Sequence, residues 1–294
     1  MRIAAFPKCW LERICDGRMP LESWIEASRE LACEGLEFYA GFLASHDAGY
    51  LAGLRRAVEA LGMTVPMMCC SPDFTVDDPA ERSREVERER AMIRATAALG
   101  GSFCRVLSGQ ARPGLDVDEG VERVVAAIEA CLPTAAACGV TLVMENHYKD
   151  GFWKHREFAQ KKDLFVRIVD RIVSPWFGVQ FDPSNAVVAG DDPLDVLDAV
   201  LPRVRTVHAS DRSLAPGATL EDLRQADGTL GYAPALVHGV TGKGMNDWHG
   251  IFSRLASLGR EDLWVSIEDG MNGMGEMKES VDFLKRMRDR YFGG

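Results

Sequence analysis

Eight short runs rich in apolar and β-branched residues recur along the chain, each parted from the next by a longer helical pattern. They are Ile3–Phe6, Gly35–Tyr39, Thr64–Cys70, Ser102–Leu107, Val140–Glu145, Phe177–Asp182, Val204–His208 and Leu263–Glu268. Strands that alternate with helices pair in parallel through crossover connections. Eight such units in 294 residues suit an α/β fold of the (β/α)8 TIM-barrel type, which usually takes roughly 250 residues. The pattern runs from end to end, so residues 1–294 are expected to form a single TIM-barrel domain. A doubly wound open sheet is the alternative, and it usually shows a Gly-rich turn after its first strand. Here the first run leads into Phe6-Pro7-Lys8-Cys9-Trp10, with no glycine.

The helix starts are marked by capping residues. Pro20 opens a helix in its first turn, Asp77 is expected to cap residues 78–99, and Asp118 residues 119–131. Asp192-Pro193 opens 193–201, and Asp247 opens 248–258. Pro133 is expected to break or kink the pattern over 119–138. Residues 211–246, rich in Gly, Pro and Asp, form an insertion too long for a plain loop. Loops of that length are usually functional or disordered, and this one follows the seventh run, on the face where such barrels hold their active sites.

Composition narrows the partners. With 34 basic and 44 acidic residues the net charge is −10, which opposes nucleic acid and anionic lipid unless a basic patch exists. None is present, for residues 81–94 mix both signs as a solvated helix face does. No stretch of ~18 apolar residues suggests a membrane span. The eight cysteines lie in apolar segments without a CxxC pair, as reduced core residues of a cytoplasmic protein would. The first run starts at Arg2, so no signal peptide is expected.

The chemistry sits at the ends of the last four runs. They finish on Glu145, Asp182, His208 and Glu268, at the end of the barrel that carries active sites. Neighbouring strands lie ~4.8 Å apart, so four successive tips can converge on one point. Three carboxylates and an imidazole in a buried crater repel one another and lose hydration. A single divalent cation removes both problems. The oxygen-rich set favours Mn²⁺ and also suits Mg²⁺, Co²⁺ or Zn²⁺.

The order Glu145-Asn146, Phe181-Asp182-Pro183-Ser184-Asn185, Val207-His208-Ala209-Ser210-Asp211, Gly242 to Trp248 and Ser266-Ile267-Glu268-Asp269 resembles the xylose-isomerase-like superfamily of sugar isomerases and epimerases. Ketose 3-epimerases, inosose dehydratase and, more distantly, endonucleases of the endonuclease IV type belong to it. The resemblance implies a metal site of Glu145, Asp182, His208 and Glu268, with Glu145 and Glu268 as an acid/base pair on opposite sides of a bound ketose. It implies an isomerase or epimerase acting on a sugar or polyol through an enediolate. Gly242 to Trp248 reads as a structural turn, with Asp247 as the cap. Many relatives carry a His where Asn185 stands, and the endonucleases need more histidines than the six present, which argues against DNA repair.

Other residues reach the same crater by position. Lys8 and Trp10 follow the first run, and Glu37 and Tyr39 lie in the second. Arg105, charged among apolar neighbours, is expected to pair with an acid such as Glu145. After the fifth run, His147, Lys149 and Trp153 either contact substrate or belong to an aromatic-anchored surface loop. Arg212 either binds a substrate oxygen or pairs with Asp211, and Asn185 faces the substrate. Met67, Met68, Cys69 and Cys70 are packing residues. The same site serves a lyase or dehydratase acting on an inosose or 3-keto-glycoside. A non-catalytic carbohydrate-binding subunit, and a homo-oligomer, are further readings. No Gly-rich phosphate cradle is present, which favours an unphosphorylated substrate.

Overall fold

The strand segments are β1 (Arg2–Ala5), β2 (Gly35–Leu36), β3 (Phe38–Tyr39), β4 (Met67–Cys69), β5 (Phe103–Val106), β6 (Thr141–Glu145), β7 (Phe177–Phe181), β8 (Val204–Ala209), β9 (Arg212–Leu214), β10 (Leu236–His238) and β11 (Trp264–Ile267). All but β9 and β10 form one parallel sheet in the order β2-β1-β11-β8-β7-β6-β5-β4-β3. The two ends of that order are halves of one stave, parted only by Glu37. The sheet therefore closes into a barrel of eight staves, as the alternating pattern predicts. This computed structural model describes residues 1–225, 233–260 and 262–293, except for the side chains of 224 and 225.

The helices are α1 (Leu11–Cys15), α2 (Leu21–Ala27), α3 (Ala48–Glu59), α4 (Pro79–Ala98), α5 (Val117–Cys138), α6 (Lys162–Arg171), α7 (Pro183–Ala189), α8 (Pro193–Val200), α9 (Leu220–Gln225), α10 (Trp248–Ser257) and α11 (Met274–Phe292). Asp192 and Asp247 cap α8 and α10 as expected. Three expectations are corrected. Asp78, not Asp77, caps α4, because Pro79 takes the first helical position and the cap falls just before it. Asp116, not Asp118, caps α5; Asp118 lies in the first turn. Pro20 is the extended residue before α2.

Pro133 does not end α5, which continues to Cys138. Val121, Val124, Val125, Ile128, Cys131 and Ala135 bury one face on both sides of the proline. That packing outweighs the single hydrogen bond that proline removes. Strand alternation sorts the remaining side chains. Even-numbered Cys70 and Cys104 face the helix layer, where Glu89 of α4 meets them. Odd-numbered Cys69 and Arg105 point into the barrel, toward His208 and Glu145. At the barrel floor Gly35 must be glycine, since a Cβ there would lie 2.8 Å from the Trp264 ring.

The insertion over 211–246 is not a plain loop. β9 and β10 pair antiparallel, and α9 lies between them; residues 226–232 lie outside the described residues. Asp211 gathers the chain that follows. Its carboxylate accepts from the amides of Gly242 (2.7 Å) and Gly244 (2.9 Å) and from Trp248 Nε1 (2.7 Å). Gly242 to Trp248 is thus a structural turn, as read from the sequence.

Candidate metal and active site

Glu145 closes β6, Asp182 follows β7, His208 lies in β8 and Glu268 follows β11. These four staves are neighbours in the sheet, so their tips meet at the barrel mouth. Each of the four residues is buried. His208 Nδ1 lies 3.4 Å from Glu145 Oε1 and 3.8 Å from Glu268 Oε2. Glu145, Asp182 and His208 each offer a ligand atom within 4.8 Å of the others.

The donors fit a cation. His208 Nδ1 and Asp182 Oδ2 are buried without a hydrogen-bond partner, a costly state for atoms of this kind. The other Asp182 oxygen accepts from the Asn185 amide (3.0 Å) and Ser210 Oγ (2.6 Å), which aims the bare one. Burial, against the pull of Arg212, combines with repulsion from Glu268 and Glu145 to lift Asp182 to about 7. Burial disfavours a charged His208, but Glu37 and Glu268 push its pKa well above the ordinary value. A ring so surrounded takes a second proton at Nδ1 unless a metal ion occupies that position.

Basic side chains hold two of the carboxylates. Arg105 Nη1 donates to Glu145 Oε2 at 2.7 Å, as expected from sequence, and Lys8 Nζ to Glu268 Oε1 at 2.9 Å. Burial would raise both glutamates. Arg105, with His208, instead holds Glu145 down at about 2, and Lys8 with His208 holds Glu268 well below its usual range.

Glu37 supplies a link that sequence reasoning placed only near the crater. It sits at the break between β2 and β3, fully buried, and its Oε2 lies 2.8 Å from His208 Nε2. Ser266 Oγ donates to its other oxygen. A carboxylate can only accept, so His208 Nε2 carries the proton and Nδ1 is turned toward the other acids. Glu157 is another residue that the sequence did not single out. Buried, it accepts from the amide and hydroxyl of Ser108 and stands 3.3 Å from His147 Nδ1.

A pocket of about 230 Å³ opens beside the cluster, and Glu268 is the member of the four that lines it. Lys8, His147, Lys149, Asn185, Arg212 and Glu268 line it. Asn185 Nδ2 donates to Glu145 Oε1 (3.3 Å) and receives Arg212 Nη1 on its own oxygen (3.1 Å). Arg212 therefore faces the pocket, while Asp211 turns away into the structural turn. Trp10 and Trp153 are not brought to the lining. Trp10 packs edge-on against Trp24 at 5.5 Å. Trp153 sits half-buried in the loop, and its neighbour Phe152 reaches the pocket instead.

A family model described as a xylose isomerase-like TIM barrel matches residues 25–287. The chain belongs to that family. Among relatives of this xylose isomerase-like barrel, a C-glycoside deglycosidase alpha subunit from Microbacterium trichothecenolyticum is 24% identical over 88% of the chain. A probable endonuclease 4 from Methanoculleus marisnigri is 30% identical over 56% of it. The matches span 64% and 62% of those two proteins' lengths. Two solved structures share the fold. A zinc-bound IOLI protein superposes with a TM-score of 0.75 at 14% identity, covering 100% of both chains. An L-ribulose 3-epimerase gives 0.73 at 17% identity, covering 99% of this chain and 96% of that one. Among the described residues no helix is long and apolar enough to cross a membrane.

Proposed function

We propose that the protein is a divalent-metal-dependent isomerase or epimerase that moves a proton on the carbon next to the carbonyl of a keto-sugar. The observation that carries this reading is the convergence of Glu145 and Glu268 on His208 Nδ1, at 3.4 and 3.8 Å, beside a pocket that Glu268, Lys8, Asn185 and Arg212 line. Glu145, Asp182, His208 and Glu268 would hold the cation, Mn²⁺ by the hardness of the donors; the zinc-bound structural neighbour supports a divalent ion. When bound, the cation supplies Lewis-acid polarisation of the carbonyl.

The chain's own residues do the rest. One glutamate takes the proton as the C–H bond breaks, and the electron pair moves to the carbonyl oxygen as an enediolate. The other glutamate returns a proton from the opposite side. Arg105 and Lys8 keep both carboxylates ionised and fixed in direction. Arg212 and Asn185 bind substrate oxygens, and Glu37 orients His208. The endonuclease relative is a poor guide to substrate, because a net charge of −10 opposes a polyanion and Asn185 is no metal ligand of the imidazole kind.

Elimination is the second reading, and His147 favours it. Its imidazole lines the pocket with Glu157 behind it, a third acid/base group beside the two glutamates. In that case the electron pair left by the departing proton expels a group β to the carbonyl. His147 protonates that group, and an unsaturated ketone remains. The deglycosidase relative supports this variant.

The test is solvent exchange. Mn²⁺-loaded protein is incubated in D₂O with ketoses, inososes and 3-keto-glycosides, and deuterium is read by mass spectrometry. Glu145→Gln and Glu268→Gln should each lower exchange by about 10²- to 10⁴-fold. Exchange retained in both variants would sink the acid/base assignment; an unsaturated product identifies elimination.

A further inference from the structure

Two chemically distinct sets of side chains line the pocket. Charged and amide groups make up one, including Lys8, Arg212, Asn185 and Glu268. The other is apolar, built from Phe6, Leu11, Tyr39 and Phe152. Its rings form a chain. Phe6 stands 6.2 Å from the His208 ring and stacks on Phe42 at 5.9 Å. Phe42 meets Tyr39 edge-on at 5.8 Å, and Tyr39 lies nearly parallel to Phe152 at 6.5 Å and 12°. The aromatic chain thus runs from the acid cluster out to the mouth.

Its last ring is unusual. Phe152 is 66% exposed, yet the loop that carries it is tied down on both sides. Asp150 accepts from Ser71 Oγ (2.6 Å) and from the Phe152 amide (2.8 Å). Gln110 Oε1 accepts from the amides of Lys154 and His155, both at 2.9 Å. Phe158 N donates to Gly109 O at 2.8 Å. A backbone so restrained does not present a bare aromatic ring by fraying. It holds the ring at a set place beside the pocket mouth.

We propose that Phe152 and Tyr39 form a subsite for a flat aromatic substituent, so that the substrate is a keto-sugar carrying an aryl aglycone rather than a free ketose. This rests on the keto-sugar reading given above. The polar set matches the oxygens of one sugar ring held over Glu145 and Glu268. Three aromatic rings, Phe6, Tyr39 and Phe152, line the pocket with Phe42 packed behind them, and the exposed face of the outermost offers a second planar group a surface to stack on.

The experiment uses a matched pair of probes, methyl and 4-nitrophenyl 3-keto-glucoside, on the metal-loaded full chain. The wild type should bind the aryl probe about threefold to tenfold tighter than the methyl one, the size of a single aromatic contact. Phe152→Ala should bring that ratio close to one, and Phe152→Trp should keep it. A wild-type ratio near one overturns the proposal. So does an unchanged ratio in Phe152→Ala, including the case where the variant alters only the oligomeric mass and so marks an interface. Deuterium exchange into the methyl probe without any aryl preference removes the subsite and leaves the keto-sugar reading standing. No exchange into either probe brings down both.

Discussion

Two glutamates sit fully buried on opposite sides of the same barrel wall, and their acidities are pushed in opposite directions. Glu145, on the inner face, is held down at about 2, while Glu89, on the outer face, is pushed up to about 8. Both are desolvated, so burial alone does not separate them. Their partners do. Successive residues of β5 serve the two sites: Arg105 turns inward to Glu145 at 2.7 Å, and Cys104 turns outward to donate to Glu89 at 3.2 Å. A guanidinium offsets the cost of a buried carboxylate charge, and a thiol does not. Cys70, Glu89 and Cys104 lie close enough to suggest a metal site. Burial raises both thiols, and the group satisfies itself with its own protons. The inner site keeps bare acceptors and ionised acids, as a cation-binding centre needs.

Removing the inner partner should have the largest effect on this contrast. Arg105→Met leaves Glu145 buried without its counter-charge and should cost about 3–5 kcal/mol of stability by denaturant unfolding. The loss should shrink when Mn²⁺ is present, since a bound cation also neutralises Glu145. Equal losses with and without metal would place Glu145 outside the cation's reach.

The outer site should show itself through pH. Glu89 has a folded pKa of about 8 against an ordinary 4.5, so the folded chain keeps a proton that the unfolded chain gives up. Its contribution is full below about pH 4.5 and is lost as pH rises toward about 8, by roughly 3 kcal/mol at pH 7. Glu89→Gln has no proton to lose. Its stability should vary less across that window than the wild type's, and parallel curves would show that Glu89 is already ionised.

The smallest effect belongs to Glu37, which touches His208 and not the proposed cation. Glu37→Gln keeps the shape but loses the charge behind the imidazole. Mn²⁺ affinity, measured by chelator competition, should fall about 10- to 100-fold, with the unfolding midpoint of the metal-free protein much less affected. An unchanged affinity would make Glu37 a packing residue.

Period and strand ends carry the barrel and its four acid or imidazole tips in the sequence, because each tip follows an apolar run whose parity is set by the pleat. The partners are harder to read. Arg105 could be matched with Glu145 since it is a charged residue within the apolar run next to the one that Glu145 ends. Glu37 could not be matched with His208: its stave is only two residues long on either side of it, and their pairing across the barrel depends on closure. Glu157 and Phe152 depend on how one loop folds back over the mouth. No local period records that, so the sequence points to Trp153 where Phe152 reaches the pocket. The helix starts slipped by a residue or two where acids cluster, at Asp77-Asp78 and Asp116 to Asp118, since several residues there can cap and only packing chooses.

On the proposed function a single divalent ion sits in the inner cluster and not in the outer one. Equilibrium dialysis of chelator-treated protein against Mn²⁺, on the wild type, Asp182→Asn and Cys104→Ala, tests it directly. The expected result is one ion per chain in the wild type and in Cys104→Ala, with binding lost in Asp182→Asn while its circular dichroism stays native. Binding that survives Asp182→Asn and disappears in Cys104→Ala would contradict the account.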